Sequence, residues 1–217
     1  HIQAWVARLR QEGLAPATVA LAYSALRRAL EEAVKLGLLG ANPAAKVTVG
    51  RGDPYRPTVL SPEEAERLLR TALGTPWGPV VLFAVATGLR IGELAALRWR
   101  DVDLERGVAR VERSRQRAGS RWVEGPTKGR RGRLVTLPSL LTELLAALRQ
   151  GAAPDEPVFT GPEGGDIGSS LSRALRSLCR TAGVPTIRVH DLRHLSATLL
   201  LVQGVHPKVV AERLGHA

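Results

Sequence analysis

The segment Val80-Val81-Leu82-Phe83-Ala84-Val85-Ala86-Thr87-Gly88-Leu89 carries no charge, and Arg90 follows at once. A helix over Pro79 to Ala86 is apolar on every side. Such a helix is stable only inside a core, with other elements packed around it. This one stretch therefore demands a sizeable, helix-rich domain. Gly88 breaks the helix and Arg90 opens the next. A cation there could point into a cleft, with Glu93 one turn later to hold its guanidinium. Taken alone, it reads equally as an ordinary ion pair at a helix end.

The rest of the chain is organised around that domain. Pro16 to about Leu36 reads as one helix, with Val19, Ala22, Leu26, Leu30, Ala33 and Val34 at helical spacing. Gly37 suits its C-terminal end, and Pro43 lies beyond it. A shorter helix precedes it, from Ile2 to Arg10. The stripes Ile2, Trp5, Val6, Leu9 and Val19, Leu26, Leu30 lie on two helices, which alone bury apolar surface poorly. They are expected to pack on the larger domain, on a second copy or on further helices. Val49 to Pro57 is rich in Gly, Pro and charge and reads as a linker. Ser61, Pro62 and Glu64 then form a helix-start signal with a capping box.

A short helix is expected from Ile91 to Leu97. Asp101–Leu104, Val108–Arg113 and Arg133–Leu137 read as strands, and helices resume near Leu140, Ser169, Asp191 and Pro207–Leu214. The expected fold class is mainly α with one small antiparallel β-sheet (α+β). Residues 1–48 form a helical front domain, 49–58 a linker and 59–217 the larger domain.

Composition narrows the partners. A net charge of +11 and a pI of about 11.2 suit an anionic partner, most often nucleic acid. Lysine occurs only at 35, 46, 128 and 208, so the charge is nearly all arginine, whose planar fork fits phosphate oxygens. Cys179 is the one cysteine, which excludes an internal disulfide and suits a buried thiol. No run is long and apolar enough to span a membrane, and no signal peptide is visible. Few Asn, Cys and Met beside much Ala, Leu, Pro and Arg fit a thermophile.

Four further positions carry chemistry. Lys128 sits in the basic turn Pro126-Thr127-Lys128-Gly129-Arg130-Arg131-Gly132-Arg133, a hairpin tip that could reach a DNA groove or a leaving oxygen. It reads equally as a solvated loop that binds phosphate without specificity. His190 and Arg193, in His190-Asp191-Leu192-Arg193-His194, share one helix face and could present donors to one phosphate. His194 lies one turn from His190. A zinc pair there would need a third ligand and a nearby acid, so His194 is expected to be buried and hydrogen-bonded instead. His216, in Leu214-Gly215-His216-Ala217, is either a further donor or a solvated chain end.

The ordered set changes the reading. Arg90, then Lys128 in a β-turn, then His190-x-x-Arg193, then Gly215-His216 resembles the catalytic set of the tyrosine recombinases, the phage-integrase family. The segments Thr87–Trp99, Thr127–Pro138, His190–Thr198 and Leu214–Ala217 each look like the corresponding box. Leu14-Ala15-Pro16-Ala17-Thr18-Val19 with its long helix and Asn42-Pro43 is similar to the second half of the family's core-binding, DNA-clamping domain.

The resemblance implies an enzyme of DNA integration and recombination that forms a 3′-phosphotyrosyl intermediate. It needs no cofactor and no metal. Arg90 and Arg193 would bind the nonbridging oxygens, Lys128 would protonate the 5′ leaving oxygen, and His190 and His216 would assist. Glu93 and His194 would support them. Arg130, Arg131, Arg133, Arg27 and Arg28 would hold DNA. The implied partners are a double-stranded recombination site and other integrase protomers in a synaptic complex, with no membrane, in the cytoplasm of a bacterial, archaeal or phage-infected cell.

One departure stands out. The family's tyrosine follows the Gly-His box, whereas the tyrosines here are Tyr23 and Tyr55. The chain is therefore expected to be an internal fragment, lacking the nucleophile and inactive in cleavage by itself. A binding module that cuts nothing and a type IB topoisomerase relative are the alternatives. The intact cage speaks against the first, and the helical front domain against the second.

Overall fold

The computed structural model describes residues 1–50, 57–118, 121–127, 132–165 and 167–215. Two units result, His1–Arg56 and Pro57–Ala217. In the first, α1 (Ile2–Gln11) and α2 (Pro16–Lys35) begin and end within a residue of where periodicity puts them. The apolar stripes meet each other. Val6, Val19, Tyr23 and Ala44 are buried, flanked by Ile2, Trp5, Leu9, Leu14, Leu30, Val47 and Val49. Part of the cover expected from elsewhere thus comes from the segment after α2, which folds back across both helices.

Polar ties hold that fold-back. The Tyr23 hydroxyl shares its proton between the carbonyls of Ala44 at 2.6 Å and Val47 at 2.9 Å. The Asn42 side-chain amide donates to the Arg27 carbonyl and to Glu31, and its oxygen accepts from the Ala44 N–H. Leu21, Leu36 and Leu38 remain exposed.

The second unit opens with α3 (Pro62–Leu73). Ser61 Oγ accepts the Glu64 N–H, and the Glu64 carboxylate accepts the Ser61 N–H, so the capping box forms as expected. The charge-free run becomes α4 (Gly78–Thr87), packed against α3 and two later helices, α6 (Ser139–Arg149) and α8 (Val189–Val202). Val80, Val81, Phe83, Ala84 and Val85 are all buried. Each larger side chain contributes roughly 1.5–3 kcal/mol by leaving water. Gly88 ends α4 in the left-handed conformation, with φ +64°.

Next come α5 (Ile91–Ala96), a turn at Trp99–Asp101 and the strands β1 (Val102–Asp103) and β2 (Val108–Val111). Among the described residues two sheets form where one was expected. β2 is the middle strand of a three-stranded antiparallel sheet, between β1 and β5 (Arg133–Thr136). Beyond Glu112, β3 (Arg113–Ala118) pairs instead with β4 (Arg121–Pro126). The hairpin escapes a pattern search because Arg113-Ser114-Arg115-Gln116-Arg117-Ala118 has no apolar alternation.

Polar contacts support that hairpin. Arg115 lies 5.3 Å over the Trp122 ring, and Arg113 reaches Asp101 and Glu124. Arg100 pairs with Asp155 nearby. Finally α7 (Ile167–Thr181) lies before α8, and α9 (Pro207–Leu214) packs on α8. Cys179 is buried in the main core. No helix among the described residues is long and apolar enough to cross a membrane.

Candidate active site

One local device recurs where Arg is followed three residues later by an acid. Glu93 accepts the Arg90 backbone N–H at 3.0 Å and the Arg90 guanidinium at 3.1 Å. Asp191 does the same for Arg188, at 2.8 Å to the backbone and 3.1–3.2 Å to the side chain. Asp101 accepts the Arg98 backbone N–H at 2.9 Å. Each acid satisfies an orphan donor at the start of a helical turn and sits at its positive end. α5 and α8, which carry the candidate residues, are therefore both fixed at their first turn.

Arg90 and Arg193 come together at the C-terminal end of α9. There the helix leaves carbonyls without intrahelical partners, and its dipole is negative. Three arginines take three consecutive carbonyls. Arg133 Nε donates to Arg213 O at 3.1 Å, Arg193 Nη2 to Leu214 O at 2.6 Å, and Arg90 Nη2 to Gly215 O at 3.4 Å. Gly215, in the left-handed conformation at φ +68°, turns the chain so that these carbonyls face the arginines. Arg193 also donates to Gly88 O at 2.7 Å. That bond ties α8 to the turn that launches α5.

Among the described residues, one carboxylate stands among these three cations. Glu93 is almost wholly buried, and Arg133 grips both of its oxygens, at 3.2 and 2.7 Å. Burial alone would raise the Glu93 carboxyl pKa, but the hydrogen bonds and charges of Arg133 and Arg90 outweigh it and hold it below the ordinary value. Arg193 is pushed down to about 10, first by burial and then by repulsion from Arg90 and Arg133. It is still charged at neutral pH. Three guanidinium groups around one buried carboxylate leave the cluster short of negative charge, and an anion relieves that repulsion.

His190 opens the exposed side of α8, one turn before Arg193. Its ring meets His194 edge-on at 5.2 Å between centroids. His194 is exposed, not buried, because position 194 falls on the solvent face of α8 while Leu192, Arg193 and Leu195 face inward. Partial desolvation of the ring, then the charges of His194 and Arg193, lower the His190 pKa below 6.5 although the residue is exposed. A base with a depressed folded pKa binds fewer protons folded than unfolded. Stability is then lost as pH falls from 6.5 through the folded value. The His190 ring proton should accordingly titrate in NMR with a midpoint below 6.5, and a midpoint above it would contradict this environment.

Other expected residues distribute as follows. Lys128, Arg130, Arg131 and His216 lie outside the described residues, as does Tyr55. Arg27 and Arg28 are exposed on α2, beside a cavity of about 590 Å³ that Tyr23, Ser24 and Glu31 also line. Arg133, expected to hold DNA, points inward and spends its donors on Glu93 and Arg213. Its place was readable in principle. Val135 and Leu137 are core residues, so strand alternation turns Arg133 to the same inner face and leaves Leu134 outside. Among the described residues, no three His, Cys, Asp or Glu side chains come together as a metal site.

Comparison with known proteins gives the family and the fold. The model of the phage integrase family matches residues 58–217. Tyrosine recombinase XerC of Xanthomonas axonopodis pv. citri is 31% identical over 228 aligned residues, covering all of this chain and 69% of that protein. A XerC-like tyrosine recombinase of Caldanaerobacter subterraneus is 30% identical, with 63% of its length covered. The chain belongs to the phage integrase family. Its fold is that of the Tn1549 transposon integrase solved with a circular intermediate DNA. The TM-score is 0.82 at 20% identity, over 99% of this chain and 76% of that one. A lambda integrase dimer bound to a core site gives 0.68 at 23% identity, over 98% and 76%.

Proposed function

We propose that this chain is the DNA-cleaving and rejoining part of a site-specific recombinase. The observation that carries the reading is the cluster of Arg90, Arg133 and Arg193 around the lone Glu93 at the end of α9. A phosphodiester in a trigonal-bipyramidal transition state gathers negative charge on its nonbridging oxygens. Arg90 and Arg193 bind those oxygens from fixed positions, which costs no reorganisation during reaction. Neutral His190 assists proton transfer at the attacking hydroxyl. Lys128 protonates the 5′ leaving oxygen, and His216, next after Gly215, adds a donor. Glu93 orients Arg90, and His194 flanks His190.

The attacking hydroxyl belongs to a tyrosine, and Tyr23 is not suited to the part. It is buried and committed to two carbonyls of its own unit. The 217 residues by themselves are proposed to bind DNA without cutting it. The 3′-phosphotyrosyl bond stores the energy of the broken phosphodiester, so rejoining needs no further energy source. The front unit, with Arg27 and Arg28 exposed, serves as part of the DNA clamp, and further protomers complete a synaptic complex. The composition supports a thermophilic host, and the protein is proposed to act in the cytoplasm.

Binding tests this directly. Duplex DNA should bind with steep salt dependence, because each neutralised phosphate releases counterions. If ~4 phosphates are contacted, affinity should fall roughly 10²-fold between about 50 and about 200 mM salt. Fluorescence anisotropy with a labelled duplex reads this. Salt-insensitive binding, or none at low ionic strength, would reject the proposal.

A further inference from the structure

We propose that Arg133 is a positioning residue, one that keeps Arg90 open to a phosphate by engaging both oxygens of Glu93, so that the carboxylate takes a single bond from the Arg90 guanidinium. The inference rests on the reading of Arg90 as a phosphate ligand.

The geometry divides the labour between two arginines that share one carboxylate. Arg133 is the inner partner, its side chain 14% exposed, with Nη1 and Nη2 on the two Glu93 oxygens and Nε on the Arg213 carbonyl. Arg90 is the outer partner, its side chain 29% exposed. It has one guanidinium bond to Glu93 Oε1 and one long bond, 3.4 Å, to Gly215 O. A guanidinium has five N–H donors, so Arg90 keeps most of its fork for another acceptor.

Remove the Arg133 guanidinium and the buried Glu93 carboxylate loses its two-pronged partner. A buried carboxylate left underpaired takes the nearest cation. That cation is Arg90, already on Oε1. A two-pronged Glu93–Arg90 pair would then occupy the fork and cancel the charge that a phosphate needs. Arg133 therefore acts through Glu93, although its own donors are spent inside the protein. It also anchors the α9 end whose carbonyls seat Arg90 and Arg193.

The test uses the 217-residue chain, inorganic phosphate as probe, and NMR of the guanidinium resonances of Arg90 and Arg193. The unaltered protein should respond to phosphate. Arg133→Gln should weaken that response about tenfold, the scale of a misplaced ligand-binding group. Arg133→Lys, which keeps the charge but cannot span both oxygens, should also weaken it, and it carries the test if Arg133→Gln fails to fold. Arg70→Gln, which removes a distant surface charge, should change nothing.

The decisive variant is the double change Arg133→Gln with Glu93→Gln. With no carboxylate left to capture Arg90, phosphate binding should recover to within about threefold of Glu93→Gln alone. A merely structural Arg133 would make the double variant worse than either single one. Wild-type-like binding by both Arg133 variants would overturn the proposal, and so would a double variant no better than Arg133→Gln. Those results leave Arg90 as a phosphate ligand. No response in the unaltered protein would overturn both readings together.

Discussion

Arg193→Ala is expected to abolish most DNA cleavage and also to loosen the fold. In a chain extended to carry a nucleophilic tyrosine, on a nicked duplex with a recombination site, the covalent adduct should form about 10²–10³-fold more slowly, the loss seen when one fixed oxyanion donor is removed. Arg193→Lys should recover little, because a single ammonium cannot reach Gly88 O, Leu214 O and a phosphate together. The stability effect has opposing parts. Two backbone carbonyls lose charged donors, each worth about 1.5–3 kcal/mol. Against that, a desolvated cation repelled by Arg90 and Arg133 disappears. A net loss of about 2–4 kcal/mol in denaturant unfolding is expected. Cleavage at the wild-type rate by a folded Arg193→Ala protein would remove Arg193 from the site.

Gly88→Ala is expected to be strongly destabilising. The backbone at Gly88 is left-handed, which costs a residue with a Cβ about 1–2 kcal/mol. The added Cβ would also overlap Leu214 Cδ2 and come within 3.1 Å of Ser196 Oγ. Overpacking of this kind adds about 1–3 kcal/mol. Unfolding midpoints should therefore drop by the equivalent of roughly 2–5 kcal/mol. The effect should extend to function, because Gly88 O seats Arg193 and Leu214 O does the same from the other side. An alanine variant within about 0.5 kcal/mol of wild type would show that the α4–α8–α9 junction yields easily.

Much of the architecture was legible in the residues themselves, for local reasons. The charge-free Val80–Leu89 run could only be a central helix, and Gly88 could only be its stop. Ser61, Pro62 and Glu64 carry a complete start signal within four residues. The order of Arg90, His190 and Arg193 implied a common site, and α5 and α8 do bring Arg90 and Arg193 to neighbouring carbonyls. The β3–β4 hairpin was not legible, since its strands are polar on both faces and are held by Arg–Trp and Arg–Glu pairs across the chain. His194 was misjudged because the helix phase of α8, fixed by Leu192 and Leu195, decides which histidine faces water.

What the sequence by itself determined is the set of elements and the chemistry of their ends: where helices start, which residues are cations, and which face of each strand is apolar. What only the tertiary structure decided is which cation does what. Arg90, Arg133 and Arg193 are equivalent as letters. They become different when one buried carboxylate and three orphan carbonyls at the end of α9 are shared among them. Arg133 takes both oxygens of Glu93, Arg193 is buried with one donor each on Gly88 O and Leu214 O and three N–H to spare, and Arg90 is left most exposed. That division depends on elements as far apart in the chain as Gly88 and Gly215. No local pattern contains it, because burial and the partition of hydrogen-bond acceptors are properties of the packed whole.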